Sequence, residues 1–318
     1  MEKMEENFIE FRNVQKHYNG IKALDGLTFI IKKGEVFGYI GPNGAGKTTT
    51  IKILVGLIHN YKGDVLINGI NISKRKGDYY KILGYLPQEA GFQEWRTVNH
   101  ALSTFGKLSG LRSNHLEERI KEVLDLVGLT DVRHQKINHL SGGMKQKLMF
   151  AQAMLHKPEI LVMDEPMSGL DPTSRFQMRE IIKELVNTGI TIFLSSHILS
   201  DVQDFSSHIG ILNKGQLLKS GSPAELQRDF QVENNLEIEF AEGSSLSIDL
   251  EELSCVNSVK QLSDNKQLIF IKNEANIDDC IKIILDNLLK QNCRIRNFNI
   301  LKPSLEEVYL KYIRGEIV

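Results

Sequence analysis

The chain has 318 residues, enough for about two domains at ~150 residues each. With 41% hydrophobic and 25% charged residues it has the composition of a folded globular protein, which excludes bulk disorder. Its 39 basic and 40 acidic side chains leave a formal charge of −1, which argues against a sequence-independent coat for nucleic acid.

The N-terminal stretch MEKMEENFIEF is charged and lacks the apolar core of a secretory leader. Apolar runs are short. Ile53 to Ile58 is among the longest, far below the roughly 18 residues of a membrane helix. Phe8 to Val14 and Leu27 to Ile31 have strand character, and Val36 to Ile40 is a short apolar strand followed by glycine. Thr48 to Ile58 reads as a helix. Asp64 to Ile67 and Ile72 bracket Asn68-Gly69, a hairpin-type dipeptide. Residues ~89 to 140 are helical in pattern: Leu116, Ile120, Val123, Leu124 and Val127 recur at three- and four-residue spacing. Ile160 to Met163 and Ile190 to Leu194 read as buried strands, with a helix at Phe176 to Val186 between them. Gly210 to Asn213 and Gln216 to Leu218 form a further hairpin-like pair. Strands alternating with helices predict a mainly parallel sheet covered on both faces, so residues ~89 to 140 are a helical insertion into an α/β domain.

Near residue 222 the pattern changes. Ser222, Pro223 and Glu225 form a helix start with a capping box. Beyond ~232, Leu236 to Phe240 and Leu246 to Leu250 alternate apolar and polar residues, and Gln267 to Ile271 and Ile295 to Ile300 read as strands. Ile277, Ile281, Ile284, Leu285 and Leu288 mark one helix face, which Cys280 shares, so its expected role is packing. A last helix starts at a second capping box, Ser304 to Glu307. The expected domains are thus 1–230 and a small α+β domain over 231–318. Three cysteines, Cys255, Cys280 and Cys293, with no CxxC, suit reduced thiols better than a disulfide or zinc framework.

The strongest chemical signal is GPNGAGKT, Gly41 to Thr48, between a predicted strand and a predicted helix. Gly41, Gly44 and Gly46 let the loop curl, so that the N–H groups of Pro42-Asn43-Gly44-Ala45-Gly46 and their neighbours, proline excepted, cradle phosphate oxygens. The following helix adds its N-terminal dipole through Lys47, Thr48 and Thr49. Lys47 places an ammonium on the β- and γ-phosphates, and Thr48 offers a hydroxyl to Mg²⁺. The apolar strand Ile160 to Met163 runs into Asp164-Glu165. Asp164 suits Mg²⁺, and Glu165 suits orientation and polarisation of an attacking water. ATP and Mg²⁺ are therefore the expected ligands.

At this point the chain resembles the ABC-type ATPases. LSGGMKQKL (140–148) is similar to their signature, SGLDP (168–172) to their D-loop, SSH (195–197) to their switch histidine and LPQEAG (86–91) to their Q-loop. Tyr18 matches the aromatic that stacks on adenine, although an aromatic in a β-rich segment is equally at home in a core. The resemblance implies an α/β P-loop fold with a helical insertion and an antiparallel β subdomain. It also implies two such domains arranged head to tail. Ser141, Gly142, Gly143 and Asp171 would then contact nucleotide in trans, Gln88 would coordinate Mg²⁺ and sense the γ-phosphate, and His197 would bond the γ-phosphate. Met144 stands where many members have Gln, and Met167 follows Pro166 where Thr is common. PSLEEVYLKYI (303–313) resembles the terminal helix of ATPases serving drug, antibiotic or sodium exporters, whose membrane subunits are separate chains. The resemblance thus implies an ATPase peripheral to the cytoplasmic face of a membrane. Its partners would be a multi-helix membrane subunit and a second ATPase subunit, in a homodimer on ATP binding or paired with a similar ATPase, with no nucleic acid. The competing readings are an ABC ATPase acting on ribosomes or nucleic acid and a regulatory ATP-binding switch without turnover. The absence of a second nucleotide domain or sustained heptads argues against the first, and Glu165 with His197 against the second.

Overall fold

A computed structural model describes residues 7–74, 77, 79–89, 91–228, 235–241, 250–272, 276–291, 293–301 and 305–315. In chain order the elements begin with β1 (Asn7–Tyr18), β2 (Ile21–Lys32), β3 (Val36–Ile40), α1 (Lys47–Leu54), β4 (Lys62–Ile67), β5 (Ile70–Asn71) and β6 (Leu83–Leu86). Next come α2 (Val98–Leu108), α3 (Ser113–Val127), α4 (Gly142–Met154), β7 (Ile160–Asp164), α5 (Pro172–Val186) and β8 (Thr191–Ser196). Then follow β9 (His208–Asn213), β10 (Gln216–Gly221), α6 (Pro223–Arg228), β11 (Asn235–Phe240), β12 (Val256–Ser263), β13 (Lys266–Ile271), α7 (Ile277–Lys290), β14 (Ile295–Leu301) and α8 (Leu305–Arg314). The chain divides into two compact units, Met1–Pro223 with Lys311–Val318, and Ala224–Leu310.

In the larger unit a six-stranded sheet runs β10-β9-β3-β8-β7-β6. Its strands from β9 to β6 are parallel, and β10 closes one edge as an antiparallel hairpin with β9. The parallel strands β3, β7 and β8 read as continuous apolar runs because both faces are covered, and each is buried along its whole length. A second, antiparallel sheet runs β2-β1-β4-β5. The two sheets pack through aromatics: Phe29 of β2 lies 4.5 Å from Phe11, 5.2 Å from Phe37, 5.6 Å from Tyr39 and 6.0 Å from Phe193, centroid to centroid. The helical insertion consists of α2 and α3 with short 3₁₀ turns, and the apolar face of α3 is buried as its periodicity predicts.

The departures from the sequence reading have local causes. α1 ends at Leu54 rather than Ile58, because Gly56 adopts φ +71° and stops the helix. A Cβ at Gly56 would lie 2.3 Å from the hydroxyls of both Tyr79 and Tyr80. The Asn68-Gly69 turn forms with φ of 52° and 70°, as a primed turn requires, but it joins β4 to Ile70-Asn71 rather than to Ile72. β6 was not anticipated. It is four residues long and includes Gly84, where a Cβ would come within 2.4 Å of the Ala153 carbonyl. α5 begins at Pro172, four residues before Phe176, because Asp171 caps it.

In the smaller unit, β12-β13-β11-β14 form an antiparallel sheet. Leu236, Ile238, Phe240, Ile269 and Ile271 pack against Cys280, Ile284 and Leu288 of α7, so Cys280 is a packing residue as expected. Asn276 caps α7 by accepting from the Asp278 and Asp279 amides. β12 was missed because it is an edge strand with mostly exposed polar side chains. Leu250 begins a 3₁₀ turn rather than ending a strand, and the rest of the strand expected at Leu246 lies outside the described residues, as does Ser304 of the second capping box.

Candidate nucleotide site

The site lies at the C-terminal ends of three neighbouring parallel strands, where open α/β sheets bind ligands. The loop after β3 carries the glycines, β7 ends in Asp164, and β8 ends in Ser195-Ser196 before His197. Gly44 and Gly46 adopt φ of +80° and +113°, conformations that favour glycine. Gly41 is needed for a different reason: a Cβ there would sit 2.3 Å from the Leu212 carbonyl oxygen. Gly46 is the N-cap of α1, so the amides of its first turn face the loop.

A cleft of about 570 Å³ opens over this loop. Of the residues expected at the nucleotide, Tyr18, Asn43, Gly44, Gly46, Lys47, Thr48, Thr49, Gln88, Glu165 and His197 line it, joined by Ala23 and Ser168. Gly41, Pro42 and Ala45 do not. The carbonyls of Gly41 and Pro42 instead accept from the Lys47 ammonium at 2.7 and 3.3 Å, and Ala45 is buried. Tyr18 is exposed, and the Lys16 ammonium lies 4.8 Å from its ring centroid.

Glu165 is the centre of the polar network. Its Oε1 lies 3.2 Å from the Lys47 Nζ, and its Oε2 pairs with His197 Nδ1 at 2.9 Å. Both carboxylate and ammonium are buried. The Glu165 backbone has φ +49°, left-handed for a residue with a side chain, the kind of local strain that clusters at active sites. One residue earlier, Asp164 is buried behind the cleft. Its Oδ1 accepts from Ser195 Oγ at 2.7 Å. Burial pushes the Asp164 carboxyl above the usual range, while hydrogen bonds from Ser195 and Thr48 and the Lys47 charge pull against it, and the Glu165 charge adds to the upward push.

The four residues expected to act in trans stand apart from this cleft. Ser141 caps α4 by accepting from the Met144 amide at 3.2 Å. Gly142 begins the helix, and Gly143 lies so close to α5 that a Cβ would meet Ser174 Oγ at 2.3 Å. Asp171 caps α5, accepting from the Thr173 and Ser174 amides at 3.0 Å and from the Ser174 hydroxyl at 2.6 Å. Two further residues were not singled out in the sequence. Gln146 is buried on α4 and donates its amide to the Pro166 carbonyl at 2.9 Å, tying the signature helix to the turn after Glu165. Ser195 joins Asp164 to the Glu165 amide. For Gln146 the available signal was a polar residue on the face of α4 that also carries Phe150 and Met149, both buried.

A glycine-lined loop at a helix N-terminus, a buried lysine and paired carboxylates at a strand end define a P-loop nucleotide hydrolase. Residues 24–168 match the ABC transporter family, and residues 221–313 match the C-terminal domain of DrrA1-3-like ATP-binding proteins. The chain is 31% identical over 303 residues to the linearmycin resistance ATP-binding protein LnrL of Bacillus subtilis, spanning 95% of this chain and 97% of LnrL. It is 40% identical over 212 residues to the bacitracin transport ATP-binding protein BcrA of Bacillus licheniformis, spanning 66% and 68%. A dimeric post-hydrolysis structure of the ATP-binding cassette MJ0796, bound to ADP and Pi, aligns with a TM-score of 0.59 at 25% identity, covering 67% of this chain and 98% of that one. The chain belongs to the ABC transporter ATP-binding proteins. It is an ATP-binding, ATP-hydrolysing subunit of a transporter. Among the described residues no helix is long and apolar enough to cross a membrane.

Proposed function

We propose that this chain drives a two-component exporter in which the substrate pathway lies on a separate multi-helix membrane subunit. The exported molecule is of the drug, antibiotic, ion or lipid-like class, and the names of the linearmycin-resistance and bacitracin-transport relatives favour the drug and antibiotic part of that range. Two copies close on ATP, with Ser141, Gly142, Gly143 and Asp171 of one copy meeting the nucleotide held by the other. Closure is useful because ATP binds the closed pair better than the open one; equal affinity would shift nothing. The subunit works at the cytoplasmic face of the membrane, and Gln88 with the helical insertion after it passes the nucleotide state to the membrane partner.

The observation that carries the chemistry is Glu165 held between Lys47 and His197 at the back of the P-loop cleft. Tyr18 stacks on the base, and the loop amides from Asn43 to Thr49 hold the phosphates, with Gly41, Pro42 and Ala45 shaping the turn. Lys47 transfers its charge from the Glu165 carboxylate to the β- and γ-phosphates. Glu165, released, accepts a proton from the attacking water as the γ-phosphoryl leaves the β-phosphate oxygen, and His197 holds the γ-phosphate in line. The donors at this site suit Mg²⁺: the Asp164 carboxylate ends β7 beside the P-loop, Thr48 with its hydroxyl and Gln88 line the cleft, and all three offer oxygen ligands. When bound, Mg²⁺ would neutralise charge on the β- and γ-phosphates.

The test is co-purification from native membranes in mild detergent with the tagged chain. A stoichiometric multi-helix membrane protein is expected. Recovery only with ribosomes, nucleic acid or soluble proteins would overturn the transport reading.

A further inference from the structure

Ser195 is wholly buried and lies where three strands meet. In the register of the parallel sheet it pairs with Tyr39 of β3 on one side and with Asp164 of β7 on the other. Residues paired in this way project from the same face of a sheet. Ser195 Oγ therefore reaches the Asp164 carboxylate, to which it donates at 2.7 Å. The same oxygen accepts the Glu165 backbone N–H at 3.0 Å. A hydroxyl has one donor and two acceptor sites, so a single atom can make both bonds at once. Alanine or valine can make neither.

The two bonded residues need opposite things. Asp164 must hold its carboxylate still to serve as the metal ligand assigned to it above. Glu165 must leave the strand with φ +49°, a backbone conformation that costs free energy and persists only when its surroundings enforce it. The Glu165 N–H lies just past the end of β7, and Ser195 Oγ is its hydrogen-bond partner. We propose that Ser195 is a positioning residue for ATP hydrolysis, fixing the Asp164 carboxylate and the Glu165 turn in one mutual geometry through a single hydroxyl. It does not line the P-loop cleft. It acts through the two carboxylate residues, and the inference rests on the roles assigned to them above.

Threonine and valine have the same shape, so Ser195→Thr against Ser195→Val isolates the hydroxyl from any crowding by the added methyl. Two readouts are needed with the full-length chain. The first is steady-state ATPase, separated into kcat and KM. The second is binding of a non-hydrolysable ATP analogue, followed by fluorescence with and without Mg²⁺. The Val variant is expected to lose at least tenfold in kcat, with metal-free analogue binding within twofold of the parent. Its Mg²⁺-dependent gain in affinity is expected to fall at least fivefold, and the Thr variant to recover most of both losses. Equal values for Thr and Val, in kcat and in the Mg²⁺-dependent gain, would overturn the proposal. If thermal melts show that neither variant folds, Ser195→Ala decides: an unchanged kcat and Mg²⁺-dependent gain overturns it, and the paired loss supports it. Glu165→Gln is measured alongside. If it retains turnover, the reading of the site itself fails. If it is inactive while Thr and Val agree, only the role of Ser195 fails.

Discussion

Replacing Glu165 by Gln should separate nucleotide binding from turnover, in opposite directions. Lys47 Nζ and Glu165 Oε1 are 3.2 Å apart, with side chains 4% and 9% exposed. At an effective dielectric of about 20 that distance corresponds to a Coulomb attraction of about 5 kcal/mol. Much of it is offset by the desolvation of the two charges. ATP must draw Lys47 away from this carboxylate, so whatever net attraction survives is subtracted from nucleotide affinity. A residue of about 1.4 kcal/mol is a factor of ten in Kd. The glutamine variant keeps the shape, and Lys47 keeps its bonds to the Gly41 and Pro42 carbonyls, so the ammonium is not left without partners. The expected outcome is ATP binding about tenfold tighter, read by equilibrium titration. Turnover should fall by at least about a hundredfold, the usual scale for losing a general base. An unchanged Kd would refute the competition between Glu165 and phosphate for Lys47. Retained turnover would refute the proton-accepting role of Glu165.

Gly41→Ala should cost about 1–3 kcal/mol of stability or displace the loop, since its Cβ would lie 2.3 Å from the Leu212 carbonyl. Thermal unfolding and ATP titration would reveal which, and a variant normal in both would show that the strand after the switch region yields more readily than this geometry allows. Gln146→Leu leaves the Pro166 carbonyl without its 2.9 Å partner. A loss of about 1–3 kcal/mol in stability is expected, with kcat reduced more than KM because the bond ends next to Glu165. Burial pushes His156 below its usual value of 6.5, against the pull of its bond to the Leu83 carbonyl and with the nearby Arg119 charge adding to the depression. The unfolded chain therefore binds this proton first, and stability should fall as the pH drops below 6.5, until the folded imidazole protonates too. His156→Gln should flatten that part of the pH–stability curve; an unchanged slope would assign it to other groups.

The contrast between what was legible in the sequence and what was not follows from the range of the interactions. The P-loop, the acidic strand end and the Asn68-Gly69 turn are written locally: glycine where the backbone turns left-handed, apolar runs where strands are buried on both faces, carboxylates where the strand stops. The order of motifs placed the chain in its family and named most of the residues that line the cleft. Caps at Ser141, Asp171 and Asn276 are equally local, although only the first two lie in segments that the motifs had marked.

Contacts across strands were not legible. Gly41 looked like a glycine needed for its backbone angle, yet it is needed for space, because a carbonyl more than 170 residues away lies against it. The edge strand β12 carries too few apolar side chains for periodicity to show it. Ser195 was read only as part of a motif that ends in histidine. Its bonds to Asp164 and Glu165 exist because β7 and β8 are neighbours in one register, and a shift of a single residue would turn the hydroxyl to the opposite face. Sequence alone therefore determined the chemistry available to this protein, since residue type and local spacing decide which groups can hold phosphate and which can take a proton. The tertiary structure decided which of those groups hold one another, Lys47 on Glu165, Glu165 on His197, Ser195 on both acidic residues, because charge and hydrogen-bond interactions depend on distances that only the packed sheet sets.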